Sequence, residues 1–337
     1  MTTTIHDVAR IAGVGIGTVS RVINNNPSVK RVTREKVLAV IHQLNYTPDP
    51  IARSMISKRT GSVGVSVPFF TRPFFMEVLQ GIEATLTECG RSLILYNIRN
   101  DPQRDDYFSD LSMHRKVDGL LVLSISPDEA ATHRLQELEL PVVLVDAYSS
   151  LFTSLVVNNV DGAYQAMMCL IEKGHHYIGF INGIVEGNFK FNQANDRLIG
   201  VHRALGEAGI PFDPDLVFAT EWNRHGGRKA ALQLLSQEKR PTAIFASSDV
   251  QAVGVLQAAR ELNIGVPDDL SIIGYDDIEV AELLGISTIR QPMRQMGEIG
   301  VSKLIEQIEN PQNAPELIRL NTRLVERSTT AVVPSAH

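Results

Sequence analysis

Apolar positions along the 337 residues change their spacing where the fold should change. Between Ile5 and Leu44 they recur three and four residues apart, as Ile5, Val8 and Ala9, then Val19, Val22 and Ile23, then Val37, Leu38, Ile41 and Leu44. That spacing lays each set along one face of a helix, so three short helices around a small core are predicted. Thr4 and Asp7 supply a capping box for the first helix. Gly13 stands where the chain must turn sharply, a place for positive φ. The second helix is predicted from about Ile16, with Ile16, Gly17, Ser20 and Arg21 facing away from the core. The third runs from about Thr33 to Leu44 and is stopped by Pro48 and Pro50. The segment IARSMISKRT that follows is too short to hold a helix alone, because nucleation outweighs so little propagation. It reads as a linker that folds on contact.

From Gly61 the pattern becomes an alternation of β-branched runs and helical stretches. SVGVSV, SLILYN, GLLVL and VVLV are separated by helices predicted from about Phe74 to Cys89 and after Asp105, and a further helix is expected near Glu129. The alternation restarts after Asp161 with a helix to Lys173, YIGFIN, a helix after Asp196, LVFA, a helix after His225, TAIFAS, a helix from about Asp249 and LSIIGYDD. Runs that are apolar at nearly every residue are strands buried on both faces, which means parallel sheets covered by helices. Two such units predict two doubly wound α/β subdomains, with ligands bound at a crevice beside the carboxyl ends of the strands. The stretch from Thr288 to His337 holds one long amphipathic helix between strand-like ends, too little for a third domain.

Charge refines this picture. The whole chain carries 32 Lys and Arg against 38 Asp and Glu, a net charge of −6. Residues 1–60 hold nine basic residues and three acids, a balance of +6, so the rest stands at −12. A basic end on an acidic body is the footprint of a protein that meets polyanionic DNA through that end alone. Cys89 and Cys169 are far apart within helical patterns and read as small buried thiols, which fits a reducing cytoplasm. No apolar run approaches the roughly 20 residues needed to span a bilayer, and the first residues do not form a basic, apolar leader. Gly13, Gly15 and Gly17 are spaced G-x-G-x-G with no strand before them, so they are not a dinucleotide loop. A nucleophile elbow, a P-loop and metal-spaced His or Cys sets are all missing, so neither an enzyme nor a bound metal or cofactor is expected.

The run TIHDVARIAGVGIGTVSRVINN, continued by TREKVLAVIHQLNY and YTPDPIARSM, resembles the headpiece of the LacI/GalR family of bacterial transcription regulators. The resemblance extends over nearly the whole chain. It implies a multidomain protein: an all-α helix-turn-helix headpiece plus hinge, then two doubly wound α/β subdomains of periplasmic-binding-protein type. The expected bounds are 1–48 for the headpiece and 49–60 for the hinge. The first subdomain would take 61–160 and 290–320, the second 161–289 and 321–337, with chain crossings near residues 160, 290 and 321.

The resemblance further implies an effector-responsive regulator, a repressor, bound as a homodimer to a pseudo-palindromic double-stranded operator and not to a membrane. Ile16, Gly17 and Arg21 fall at base-reading positions, and Arg21 can fork onto guanine. Thr4, Ser20 and Thr33 are candidates for phosphate oxygens, with helix capping an open alternative for Thr4 and Thr33. Arg53 falls at a hinge contact, and Met55 takes the place of the minor-groove wedge that is Leu in most members. In the crevice the resemblance points to Asp276 and Arg197 as effector contacts. Asp146 and Asp249 stand at analogous strand ends, with helix N-capping an equal alternative for Asp249. Phe74, Phe75 and Trp222 offer flat faces for stacking, with a core role equally open for Phe75. A sugar is the first effector class and a nucleobase or nucleoside the second.

Overall fold

The computed structural model describes residues 3–23, 26–46, 59–98, 116–137, 140–184 and 192–333. The chain divides into two compact units, Met1–Gly61 and Ser62–His337. The expected helix after Asp105, the linker residues Arg53 and Met55, and part of the NFKFNQAN stretch lie outside the described residues.

The first unit is built on three helices, α1 (Ile5–Ala12), α2 (Ile16–Ile23) and α3 (Arg31–Gln43). Thr4 caps α1 reciprocally with Asp7: its hydroxyl accepts from the Asp7 amide while the Asp7 side chain accepts from the Thr4 amide. Gly13 ends the helix at φ 62°, where a side chain would be strained. Val8, Ala9, Ala12, Val19, Val22, Val37 and Val40 form the core, flanked by Ile5, Ile23, Ile41 and Leu44. Two details differ from the sequence reading. α3 starts at Arg31, after Lys30, which makes no side-chain cap, so Thr33 lies inside the first turn and caps nothing. Leu38 is 49% exposed while Val40 is buried, because the inward stripe runs Val37, Val40, Ile41, Leu44 and leaves position 38 one residue, about 100°, out of line.

The second unit holds two six-stranded sheets. The first is ordered β11-β5-β4-β3-β1-β2, from β1 (Ser62–Val67), β2 (Ser92–Asn97), β3 (Leu120–Leu123), β4 (Val142–Val145), β5 (Thr153–Val157) and β11 (Leu317–Leu320). The second is ordered β12-β10-β9-β8-β6-β7, from β6 (Ile178–Gly183), β7 (Val217–Thr220), β8 (Ala243–Ala246), β9 (Ser271–Asp276), β10 (Ser287–Arg290) and β12 (Arg323–Val325). All neighbours are parallel except β12, which runs antiparallel to β10. Every residue of β3, β4, β8 and β9 is buried, as expected of strands covered on both faces.

Helices α4 (Pro73–Glu88), α5 (Glu129–Glu137) and α11 (Met293–Glu309) pack with the first sheet. The second carries α6 (Asn159–Glu172), α7 (Asn192–Glu207), α8 (Arg224–Leu235) and α9 (Asp249–Glu261), and the short α10 (Glu279–Leu283) places Ala281 in its core. α7 begins ahead of Asp196, so both Asp196 and Arg197 ride on the helix. The chain passes between sheets three times: from β5 to α6, from β10 to α11, and from β11 to β12. α4 and α11 meet backbone to backbone. A Cβ on Gly81 would fall 2.0 Å from the Arg294 carbonyl oxygen, and one on Gly297 would fall 2.2 Å from that of Val78. Of the two thiols, Cys169 is buried as expected, whereas Cys89 is exposed at the end of α4.

Candidate functional site

Parallel strands of one sheet all deliver their carboxyl ends to the same edge, and here both sheets deliver them to one crevice. After β1 come Arg72 and, in the first turn of α4, Phe74 and Phe75; Ser124 follows β3 and Asp146 follows β4. From the second sheet come Gln193 and Arg197 on α7, Trp222 after β7, Ser248 and Val250 after β8, and Asp276 with Ile278 at and beyond the end of β9. The empty space between these residues is about 640 Å³, the solvent at its open mouth included. Six of the seven crevice residues named from sequence meet here: Phe74, Phe75, Asp146, Arg197, Trp222 and Asp276. Phe75 also belongs to the core, at 5% exposure, with its ring edge-on to Phe74 at 5.2 Å.

Asp249 does not line the crevice. It is fully buried, accepting from the Thr288 hydroxyl at 2.6 Å and the Ile278 amide at 3.0 Å, and its carboxylate sets the turn after β9. Ser248, one residue earlier, is the true N-cap of α9. Both readings of Asp249 from sequence are therefore corrected.

The charged groups are rigidly held. Arg197 is 3% exposed; its Nε donates to Asn159 Oδ1 at 3.0 Å and its Nη1 to the Ser247 carbonyl. Its guanidinium lies 3.7 Å from the Tyr275 ring centre and 5.3 Å from that of Trp222, so it keeps a cation–π partner on the aromatic side. Trp222 is oriented by its own Nε1, which donates to the Ile184 carbonyl at 3.0 Å. Asp276 accepts from Gln291 Nε2 at 2.6 Å. Asp146 accepts from Ser124 Oγ at 2.6 Å and from Gln193 Nε2 at 2.6 Å. Burial pushes the Asp146 carboxyl up to about 6 and the Asp276 carboxyl up to about 7, against the pull of nearby Arg197 in each case. Asp249 is raised too, by burial first and by the charge of Asp276 second.

Ser124, Asp146 and Asp276 have φ of 51°, 58° and 115°, in the region most side chains avoid. Such strain persists where the surroundings over-determine it, and it clusters at sites of function. Sequence reasoning missed Ser124, Gln193 and Gln291. A neutral polar residue carries no periodicity or charge signal, and only the fold brings these three to the carboxylates.

On the first unit, Ile16, Gly17 and Arg21 are exposed along one side of α2, Ser20 is half-buried there, and Thr4 is occupied as a cap. Arg53 and Met55 fall outside the described residues.

The description "Bacterial regulatory proteins, lacI family" matches residues 4–49, and "Periplasmic binding protein-like domain" matches residues 168–330. The ribose operon repressor of Haemophilus influenzae is 37% identical, over 97% of this chain and 98% of that protein. The chain belongs to the LacI family. As a LacI-family protein it is a sequence-specific DNA-binding transcription regulator that answers to a small effector. The transcriptional repressor PurR of Proteus mirabilis is 36% identical over 98% of each protein. Among solved structures, the lac repressor dimer bound to operator and the anti-inducer ONPF superposes with a TM-score of 0.87 at 27% identity, over 98% of this chain and all of that one. The helix-turn-helix unit followed by a two-sheet binding core is therefore the family's architecture. No described helix is long and apolar enough to cross a membrane.

Proposed function

We propose that this regulator is a repressor whose effector is a neutral monosaccharide held between the two sheets of the core. The observation that carries the reading is a crevice in which fixed carboxyl and amide acceptors stand beside a fixed guanidinium between flat aromatic faces. Asp146 and Asp276 present carboxylates, and Gln193 Oε1 is buried without a donor among the described residues. Arg197 is the fixed guanidinium beside them. A ligand rich in hydroxyl donors satisfies that arrangement, and Phe74 and Trp222 give it flat faces to lie against. The similarity to a ribose operon repressor supports the same class. The similarity to PurR favours a nucleobase instead, whose ring offers few donors to so many acceptors.

The reading extends to the whole protein. The headpiece takes 1–48, the hinge 49–60, the first subdomain 61–160 and 290–320, and the second 161–289 and 321–337. The division at Gly61 and the sharing of strands between the two sheets support these bounds. Ile16, Gly17 and Arg21 read bases, Ser20 contacts phosphate, and Arg53 and Met55 engage the operator from the hinge. The chain acts in the cytoplasm as a homodimer on a pseudo-palindromic operator, as the lac repressor dimer on its operator suggests. A thermal-shift screen of neutral sugars, sugar phosphates and nucleobases tests the effector class. At 100 times its dissociation constant a ligand adds about 2.7 kcal/mol to the native state, so a hit raises the melting temperature clearly. A response to nucleobases with none to sugars overturns the sugar reading.

A further inference from the structure

β9 ends in a turn that most side chains avoid. Asp276 and Asp277 follow one another with positive φ, 115° and 64°, and neither is a glycine. Glycine enters that region freely, but any other residue is strained there, so two in a row persist only where their surroundings hold them. The backbone is tied on both sides: the Gln291 amide donates to the Asp276 carbonyl at 3.1 Å, and the Ile278 amide donates to Asp249 at 3.0 Å.

Asp276 lines the crevice and Asp277 does not. The Asp277 side chain is 3% exposed and lies between two arginines. Arg290, the last residue of β10, donates through Nε to its Oδ2, and Arg327, two residues beyond β12, donates to its Oδ1 at 2.7 Å. Arg327 is itself fixed, with Nη1 on the Ile286 carbonyl at 2.8 Å and its amide on Ser287 Oγ at 2.9 Å. Arg290 stands next to Gln291, whose side chain donates to Asp276. Two neighbours at the end of β10 thus hold the two neighbouring acids after β9.

We propose that Asp277 is the positioning residue for Asp276: its two arginines hold the strained turn that presents the Asp276 carboxyl to the effector. Charge-assisted hydrogen bonds to both oxygens are strong enough to offset the strain of a left-handed residue. The proposal rests on Asp276 meeting the effector, while the positioning itself can be read without any ligand.

The test uses the full-length protein and compares Asp277→Ala with Asp277→Gly. Both lose the arginine clamp and the Asp277 charge, and only the alanine keeps a strained Cβ, so the difference between them isolates the turn. Carbon-13 NMR of aspartate-labelled protein without ligand follows the Asp276 carboxyl, its resonance assigned with Asp276→Asn. Arg197, Asp146, Asp249, Tyr275 and Gln291 face that carboxyl and are common to every variant. Wild type should titrate near 7; the Ala variant should move toward the ordinary value of about 4 as water reaches the carboxyl, and the Gly variant should stay nearer wild type. An unmoved titration in the Ala variant, or equal displacement in Ala and Gly, overturns the proposal. Should the Ala variant not fold, Arg327→Gln is compared with Arg327→Gln combined with Asp277→Gly: the single variant should be displaced and the double should return.

Calorimetry with D-ribose reads the consequence for binding. Affinity should fall about tenfold in the Ala variant, the size of one left-handed residue's strain, and recover in the Gly variant. Equal affinity in wild type and the Ala variant overturns the link from Asp277 to the effector. If D-ribose does not bind wild type, the ribose-type reading fails, and the carboxyl titration alone decides the positioning.

Discussion

Asp276 and Asp146 show how burial turns an ordinary side chain into a pH-responsive one. Their carboxyls sit at about 7 and about 6 because water is excluded, and Arg197 only partly offsets that. Effector hydroxyls donate to the ionised form, so binding favours deprotonation and releases protons. Effector affinity is therefore expected to be flat above about pH 8 and to fall as pH drops through 7 and then 6. Titrations over that range in buffers of different ionisation enthalpy measure it, and Asp276→Asn should remove the upper step along with much of the affinity. A pH-independent affinity would show that neither carboxylate meets the ligand. Burial shifts His175 the other way, down. Both ring nitrogens are occupied, Nδ1 with Thr242 and Nε2 with Ser271 and the Ala331 carbonyl, and burial lowers its pKa below 6.5. The folded chain holds it neutral while the unfolded chain takes up a proton, so its share of stability is present above about pH 6.5 and lost below. His175→Gln should flatten that acid-side loss in thermal melts compared with wild type.

Elements are joined where backbones come closest. The α4–α11 contact leaves no room for a side chain at Gly81 or Gly297, and α11 is the helix that follows the crossing from β10. Gly81→Ala must push the helices apart or distort them, at about 1 to 3 kcal/mol, the usual scale of overpacking. A denaturant titration should show a lower midpoint with an unchanged slope. Much of this level was legible in the sequence. The strands SVGVSV, YIGFIN and LSIIGYDD were read at their observed places because apolar runs of that length have few alternatives in a chain that also alternates with helices. The start of α3 was not legible, since Lys30 leaves no capping signature, and the error carried over to Thr33.

For the whole molecule, the charge division makes the strongest forecast. A chain beginning at Ser62 keeps the two-sheet unit and its crevice but loses the basic end, so it should bind effector normally and operator not at all. With the full chain, log affinity for operator should fall linearly with log salt, by about 0.9 per phosphate neutralised, and filter-binding or anisotropy titrations measure the slope. Arg21→Ala should relax preference at one base pair in each half-site, by about 1 to 3 kcal/mol, and a uniform loss over all sequences would make Arg21 a phosphate contact instead.

Periodicity, caps and charge are local quantities, and by themselves they determined the helix-turn-helix end, the two alternating units and the crevice at the strand ends. Asp276 and Arg197 could be named in advance through the resemblance to the family, Asp146 as an acid at a predicted strand end, and Trp222 as a flat face suited to stacking. Tertiary structure alone decided what each carboxylate does. Asp249 opens the helix after β8 and Asp276 closes β9, yet Thr288 and the Ile278 amide enclose the first while the second, held by Gln291, faces the crevice. The hydrogen bond between Gln193 on α7 and Asp146 after β4 joins residues 47 positions apart from the two sides of the crevice, and hydrogen bonding across such a gap leaves no periodic trace in the chain.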